Sequence, residues 1–370
     1  MTHPADAARR ADAAHPDAST NRSSVLQRGV IGLSAALLGW AGVAALRGTV
    51  RALVRRAHPL DGRVVLITGG ARGLGLALAR AFARDGARLV LVSRTVVELE
   101  RARQELAASG ADVQVVAHDI RDAGGSARLV AEVVARTGRL DVLVNDAGII
   151  QMAPFAAVPD ADIRDSLDTH VWGPLHLNRA ALPHVARSRG SIVNVSSIGG
   201  RVAVPHLLPY CVGKFALAGL SEGLHAELAA TGVHLLTVTP GLLRSGSHRN
   251  VRVRGAHVAE ARWFGLASAT SLTSMRVDRA ADRIVRACRE RRAQLTLGVQ
   301  ARALEVAHVL APGAVAGAMR LAAWVLPAAP PTPEAERARL SRTLDLGWVS
   351  ALMPSGTAAA MNQPSAVDDR

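Results

Sequence analysis

The sequence predicts an α/β protein: an open, doubly wound parallel sheet forms a single central domain, with helical extensions at both ends. Three observations predict it. Short apolar runs that read as buried strands alternate with stretches of helical periodicity from Asp61 to about residue 300, and strands spaced by helices are joined by crossovers and so run parallel. The first strand-like run enters the first helix-like run through a glycine-rich turn, the place where open α/β sheets take their ligands. At 370 residues, 49% hydrophobic and 20% charged, the chain has apolar material for a large core.

Taken in order, residues 1–24 are rich in Ala, Asp, His and Ser without apolar periodicity and are expected to form a disordered leader. Residues 25–56 read as a hydrophobic and basic helix. Within it, Gly29 to Leu46 is an uncharged stretch of 18 residues between Arg28 and the group Arg47, Arg51, Arg55 and Arg56. That length is the lower limit for spanning a bilayer core. The arginines on its C-terminal side would hold the rest of the chain in the cytoplasm, so attachment through 29–46 to the cytoplasmic face of the inner membrane is expected; an Ala/Gly-rich helix packed on the domain surface is the alternative.

The central domain is expected over 57–300. "RVVLITGG" is a short buried strand, "LGLALARAFARDGA" a helix closed by Gly86, and "RLVLVSR" a second strand. Helix-like "VVELERARQELAASG", strand-like "VQVVAHD", a helical pattern over Ser126 to Arg136 and the strand "LDVLVNDAG" follow. Further strands are expected in "GSIVNVSS", "GVHLLTVTPG" and "AQLTLG", with long helices near Asp160–Arg187 and Tyr210–Ala230. Residues 301–330 read as Ala-rich helices interrupted by Pro312 and Gly313, whose apolar content would cover the cleft, join a partner subunit or touch a membrane. Pro-rich "PAAPPTPE" then opens a tail, 331–370, expected to be flexible.

The formal charge of +14 comes from 44 basic against 30 acidic residues and is shared between the N-terminal segment and the core. With 3% aromatic residues there is no stacking platform for bases, and no helix-turn-helix or zinc pattern is visible, so nucleic acid is not an expected partner. The two cysteines, Cys211 and Cys288, lack the CxxC or His-rich spacing of a metal site and make no disulfide framework. A reducing compartment and no metal are expected.

Chemistry begins at the first turn. "TGGARGLG", Thr68 to Gly75, lets the backbone turn tightly at Gly69, Gly73 and Gly75 and approach a pyrophosphate, which the N-terminal amides of the next helix would receive. At the end of the second strand an acid would accept from the free ribose of NAD; here Ser93 is followed by Arg94, and Arg72 lies inside the glycine turn. Two guanidiniums suit a 2′-phosphate, so NADP(H) is expected before NAD(H), although ordinary surface arginines would look the same.

With these residues placed, the sequence resembles the short-chain dehydrogenase/reductase family over about residues 60–300. The motifs stand in that family's order: "TGGARGLG", "HDIRD" with Asp119, "NDAG" at 145–148, "NVSSIGG" with Ser197, "YCVGK" with Tyr210 and Lys214, and "TPGLLRS" at 239–245. The resemblance implies a Rossmann-like sheet and an enzyme acting on a small-molecule carbonyl or alcohol, assembled as a homo-oligomer. By resemblance Thr68, Leu74, Asp119, Asn145, Ala147, Gly148, Pro240, Gly241 and Ser245 join the glycine turn in binding the dinucleotide, Asp119 at the adenine and Pro240 and Gly241 at the nicotinamide. Ser197 would orient the substrate oxygen.

Tyr210 is the chain's sole tyrosine and Lys214 its sole lysine. A phenol with a reference pKa near 10 holds its proton tightly, and an ammonium one helical turn away favours the phenolate; in the family the lysine also holds the nicotinamide ribose. Two positions depart from the family pattern: Asp146 replaces its second asparagine, and His170, in "THVWGPLHL", stands where it has a catalytic asparagine. His170 is read either as a core histidine or as part of a proton relay that titrates near pH 6.5. The substrate is expected to be lipophilic, with the variable region 242–275 as its lid. That lid mixes Arg244, Arg249, Arg252 and Arg254 with Trp263 and Phe264, which leaves open an acidic group on the substrate. The alternative function is a non-catalytic nucleotide-binding module recruited to membrane or to a protein partner.

Overall fold

A computed structural model describes residues 59–269, 273–328, 330, 335–346 and 361–362. The expected leader 1–24 and the hydrophobic segment 29–46 lie outside the described residues. β1 (Val64–Thr68) leads into α1 (Gly73–Arg84), followed by β2 (Arg88–Ser93), α2 (Val96–Ala108), β3 (Val113–Ala117), α3 (Ala123–Thr137) and β4 (Val142–Asn145). After a short β5 (Gln151–Met152) come α4 (Asp160–Leu167), a π-helical turn at Asp168–Trp172, and α5 (Gly173–Arg187). The long helix expected at Asp160–Arg187 is therefore one rod with a wide turn set into it, and that turn carries His170.

The chain continues through β6 (Ser191–Val195), α6 (Leu208–Glu227) and β7 (His234–Pro240). Next come β8 (Leu242–Arg244), β9 (Arg252–Val253), α7 (His257–Ala269), β10 (Ser274–Arg276), α8 (Val277–Arg289) and β11 (Gln294–Leu297). Two helices, α9 (Val299–Leu310) and α10 (Pro312–Val325), and a last strand β12 (Arg339–Leu340) complete the described elements.

The main sheet has seven parallel strands in the order β11-β7-β6-β4-β1-β2-β3. β1 sits inside it because all five of its residues, VVLIT, are apolar or small and are buried on both faces. Successive side chains alternate between two cores. Val65 and Ile67 join α1, α2 and α8 through Leu76, Phe82, Leu99 and Ile284, whereas Val64 and Leu66 join α3 and α5 through Leu129, Val133, Leu177 and Val185. Each such large apolar side chain, fully buried, contributes roughly 1.5–3 kcal/mol. From β1 the chain works outward to β3, then returns to β4 on the other side of β1. This reversal opens a crevice beyond the carboxyl ends of β1 and β4, since the loops leaving the two strands diverge.

A smaller core holds the lid region over that crevice. Met152, Leu207, Val251, Val253, Phe264 and Leu346 are buried together, and β5, β9 and β12 form a three-stranded sheet across them. Of the tail expected from 331 onward, residues 335–346 and 361–362 are described. β12 pairs antiparallel with β9, and Met361, 4% exposed, packs into the core beside α1 while its carbonyl accepts from the Gly73 amide at 3.0 Å. Apolar side chains at 335, 340, 346 and 361 supply contacts that the Pro-rich opening of the tail does not announce.

Candidate active site

The glycine turn takes its shape from backbone constraints. Gly69 and Gly73 have φ of 69° and 57°, in the left-handed region that glycine enters without strain. A Cβ on Gly75 would lie 2.2 Å from the Gly69 carbonyl oxygen, so the turn closes against α1 as only glycine permits. The first turn of α1 contains no acid, which leaves its positive dipole end uncompensated by a side chain of its own.

Thr68, Gly75 and Asn145 brace this region from behind and do not line the cleft itself. Thr68 Oγ1 accepts from the amides of Asp146 at 3.1 Å and Ala147 at 3.2 Å, clamping the loop after β4 to the end of β1. Asn145 Nδ2 donates to Asn178 Oδ1 at 2.8 Å and Asn194 Oδ1 at 2.7 Å, and Asn194 donates on to Ser221 at 2.9 Å. This buried amide network ties β4 and β6 to α5 and α6. Within it Asn145 Oδ1 and Asn178 Nδ2 are buried without a hydrogen-bond partner.

The remaining expected residues line one continuous cleft of about 1110 Å³. Gly69, Arg72, Gly73, Leu74, Ser93, Arg94 and Asp119 wall one arm; Ala147, Gly148, His170, Ser197, Tyr210, Lys214, Pro240, Gly241 and Ser245 surround the middle. Lys214 is 5% exposed, and its Nζ donates to the Val195 carbonyl at 2.8 Å and stands 5.8 Å from the Tyr210 ring centre. The turn at Ile198–Gly200 comes so close to α6 that a Cβ on Gly200 would lie 2.5 Å from the Lys214 carbonyl oxygen. That contact brings the Ser197 turn to the tyrosine: a Cβ on Gly199 would lie 3.2 Å from the Tyr210 ring.

Electrostatics here are set by burial. The Tyr210 phenol is pushed up to about 12, first by desolvation and also by the Asp146 carboxylate, with the Ser197 hydrogen bond drawing it back. Burial also disfavours the ammonium and lowers Lys214 to about 8, with the Asp146 carboxylate drawing it back up. Asp146, half-buried and accepting from the Gly75 amide, is raised by desolvation and drawn down by Lys214.

His170 is fully buried, edge-on to the Tyr210 ring at 5.6 Å between centres. Its Nε2 accepts from the Ile149 amide at 3.3 Å. Ser166 donates its hydroxyl proton to the Pro209 carbonyl at 2.6 Å, so at 3.2 Å it accepts from His170 Nδ1–H. These partners fix one neutral tautomer. Desolvation and the neighbouring Lys214 then hold the imidazole well below its ordinary range. The expected titration near pH 6.5 is therefore corrected: at neutral pH His170 is uncharged, with both ring nitrogens engaged.

At the arm beyond the glycine turn, Arg72 is paired to buried Glu98 at 2.8 Å. Asp119 is chelated by Arg121, with its closest contact at 2.6 Å, and held below the usual carboxylate range by it. Arg94 reaches Asp119 only at 3.9 Å and is half exposed. The opposite arm has Ile149, Val204, Leu242, Trp263, Phe264 and Leu304 in its wall, with Asn250, Arg252 and Arg339 also lining the cleft. The lid arginines are already engaged: Arg252 with Asp165, Arg254 with Asp162 at 2.8 Å, and Arg244 with the Ser274 carbonyl at 2.9 Å. Arg249 is not part of the wall.

Sequence reasoning missed several contributors. Leu340 and Arg342 reach the cleft from the tail, and Ala301 and Leu304 from α9. Glu260, with no exposed surface, accepts from His206 Nδ1 at 2.7 Å and Trp263 Nε1 at 2.8 Å, fastening the lid helix to the loop before α6. A glutamate in a helical stretch between apolar residues was the available signal.

A parallel sheet with this reversal and a Ser, Tyr and Lys at its crevice agrees with comparison to known proteins. The short chain dehydrogenase family model matches residues 63–254. The chain is 35% identical over 188 residues to the oxidoreductase UcpA of Escherichia coli K12, covering 50% of this chain and 71% of that one. It is 36% identical over 222 residues to dehydrogenase/reductase SDR family member 7B of Bos taurus, covering 58% and 68%. A short-chain dehydrogenase structure from Streptomyces avermitilis superposes with a TM-score of 0.60 at 29% identity, covering 71% of this chain and 98% of that one. The chain belongs to the short-chain dehydrogenase/reductase family. It is accordingly an NAD(P)-dependent oxidoreductase acting at CH–OH or C=O groups.

Proposed function

We propose that the protein interconverts a neutral, lipophilic ketone and its alcohol with NADP(H), using Tyr210 as general acid and base. The observation that carries this reading is the meeting of Ser197, Tyr210 and Lys214 where the polar arm of the cleft joins its apolar arm. The polar arm fits a dinucleotide: a glycine-rich turn at the N-terminus of α1, no acid in that helix's first turn, and guanidiniums beyond it. Gly69, Gly73 and Leu74 would hold the pyrophosphate, Asp119 the adenine, and Lys214, Pro240 and Gly241 the nicotinamide end. When bound, the nicotinamide supplies or accepts the hydride.

The chain's own residues handle the proton. Ser197 orients the substrate oxygen by a hydrogen bond, and the Tyr210 O–H donates to that oxygen in reduction and recovers the proton in oxidation. A phenol near 12 is a firmly protonated donor at rest. Lys214, fixed on the Val195 carbonyl, keeps a positive charge beside the oxygen as the phenolate forms. His170, neutral and doubly hydrogen-bonded, packs against Tyr210 and positions it.

Cofactor preference rests on Arg94. Glu98 occupies Arg72 and Arg121 occupies Asp119, while Arg94, half exposed and held only at 3.9 Å from Asp119, is placed to meet a 2′-phosphate, and β2 ends in Ser93 rather than an acid. Substrate class rests on the apolar arm and on lid arginines spent in internal pairs, which argues against an acidic group. A screen of lipophilic ketones and alcohols with all four nicotinamide cofactors tests the reading. NADPH-dependent reduction abolished by Tyr210→Phe supports it; activity confined to charged, hydrophilic substrates refutes it.

A further inference from the structure

We propose that the hairpin of α9 and α10, residues 299–325, is a lipid-docking surface that dips into one leaflet of an anionic membrane. Its inner side is satisfied by the protein. Ala301 and Leu304 wall the cleft, and Glu305 accepts from Thr296 at 2.7 Å and lies 3.7 Å from Arg201. The outer side is apolar and bare. Val309, Leu310, Leu321, Trp324 and Val325 are 75%, 79%, 65%, 84% and 76% exposed, far more contiguous apolar surface than a water-facing helix pair ordinarily carries.

The distribution of this surface points to lipid rather than to a second copy of the chain. Only Val315 of α10 is fully buried, and the rest of the helix has apolar or small residues on nearly every side, with Arg320 as its one charged residue. A flat protein interface covers one stripe of a helix, whereas a medium that surrounds it suits one that is apolar nearly all round. Helices of 12 and 14 residues are about 20 Å long at 1.5 Å per residue. That is too short for a hydrocarbon core of about 30 Å but enough to enter one leaflet. Among the described residues no helix is long and apolar enough to cross a membrane.

Charge and chemistry agree. The outward charges of the hairpin are Arg302 and Arg320, both exposed and neither in an ion pair among the described residues, which matches anionic headgroups. Trp324, at the far end of α10, is the residue type that settles at the headgroup boundary. Since the wall formed by Leu304 belongs to the same helix, docking would set the apolar arm of the cleft beside the lipid. That consequence rests on the proposed lipophilic substrate; the docking itself does not.

The test reads the hairpin directly, so that binding through residues 29–46 cannot stand in for it. Cys211 and Cys288 are buried, so a single exposed cysteine in the full chain takes an environment-sensitive maleimide dye selectively. Leu321→Cys and Trp324→Cys report on the hairpin, and Arg128→Cys, on α3, serves as the control. Vesicles of phosphatidylcholine with 30% phosphatidylglycerol, with and without acyl-chain spin labels, are compared with phosphatidylcholine alone. The expected result is a blue shift and spin-label quenching at 321 and 324 but not at 128, with binding at least fivefold weaker without phosphatidylglycerol and further reduced by Arg302→Glu with Arg320→Glu. Dyes at 321 and 324 that stay in water on vesicle-bound protein overturn the proposal, as does absence of binding. A blue shift that grows with protein concentration without lipid also overturns it and assigns the surface to a second copy. None of these readouts depends on catalysis.

Discussion

Replacing Glu260 by alanine removes a carboxylate with no exposed surface that serves two donors, His206 Nδ1 at 2.7 Å and Trp263 Nε1 at 2.8 Å. Both donors are left without their partner in a region that water reaches poorly. A stranded buried donor costs about 1–3 kcal/mol, and because His206 and Trp263 are themselves only partly buried, the low end applies to each, giving a loss of about 2 kcal/mol. Glu260→Gln keeps the shape and one acceptor and should lose roughly 1 kcal/mol. Urea unfolding of the full chain, followed by circular dichroism, measures the change as a shift in midpoint at constant slope. The lid should suffer as well: Trp263 and Phe264 line the apolar arm, so KM for a lipophilic substrate should rise more than kcat falls. An alanine variant within 0.5 kcal/mol of wild type would refute the reasoning, since the carboxylate would then be holding nothing.

Three further outcomes are expected. Arg94→Asp should move the ratio of NADPH to NADH affinity at least tenfold toward NADH, about 1.4 kcal/mol, by titration of both cofactors; an unchanged ratio would remove Arg94 from the 2′-phosphate site. His170 has a folded pKa below its unfolded value, so the unfolded chain binds the extra proton and wild-type stability should fall as pH drops below about 6.5, by up to roughly 1.4 kcal/mol per unit. His170→Asn should flatten that slope while leaving the pH profile of turnover unchanged between about 5.5 and 7.5, and His170→Leu, unable to bond Ile149 or Ser166, should lose more activity than the asparagine variant. Met361→Ala should cost about 2–3 kcal/mol in urea unfolding if the tail is held in the core as the structure has it; no change would mean that residue 361 adds nothing there.

Much of this could be read from local pattern. Strand-helix alternation and a two-sided apolar β1 specify a buried parallel strand, and the glycines of Thr68–Gly75 specify a turn that only glycine closes. Tyr210 and Lys214 lie one helical turn apart, so their shared face followed from spacing alone. What escaped was set by partners distant in the chain. Arg72 reads as a free cation until Glu98, on the next helix, is seen against it. Asn145 lies in a motif associated with the cofactor, yet its Nδ2 is engaged by Asn178 and Asn194. β12 is two residues held by backbone pairing to β9, too short to leave a periodic signal. Burial, which raises the phenol and lowers the ammonium together, is likewise set by tertiary packing and has no local sequence signal.

The central claim is that Tyr210 delivers the proton. The direct measurement is single-turnover reduction of a ketone taken from the substrate screen, with NADPH prebound to wild type and to Tyr210→Phe, followed by loss of nicotinamide absorbance, with NADPH affinity measured on the same samples. The account predicts a rate lower by about 10²–10⁴-fold in the variant with cofactor affinity within a few-fold of wild type, because the phenylalanine keeps the packing against His170 and removes only the hydroxyl. A variant that transfers hydride at close to the wild-type rate would contradict it.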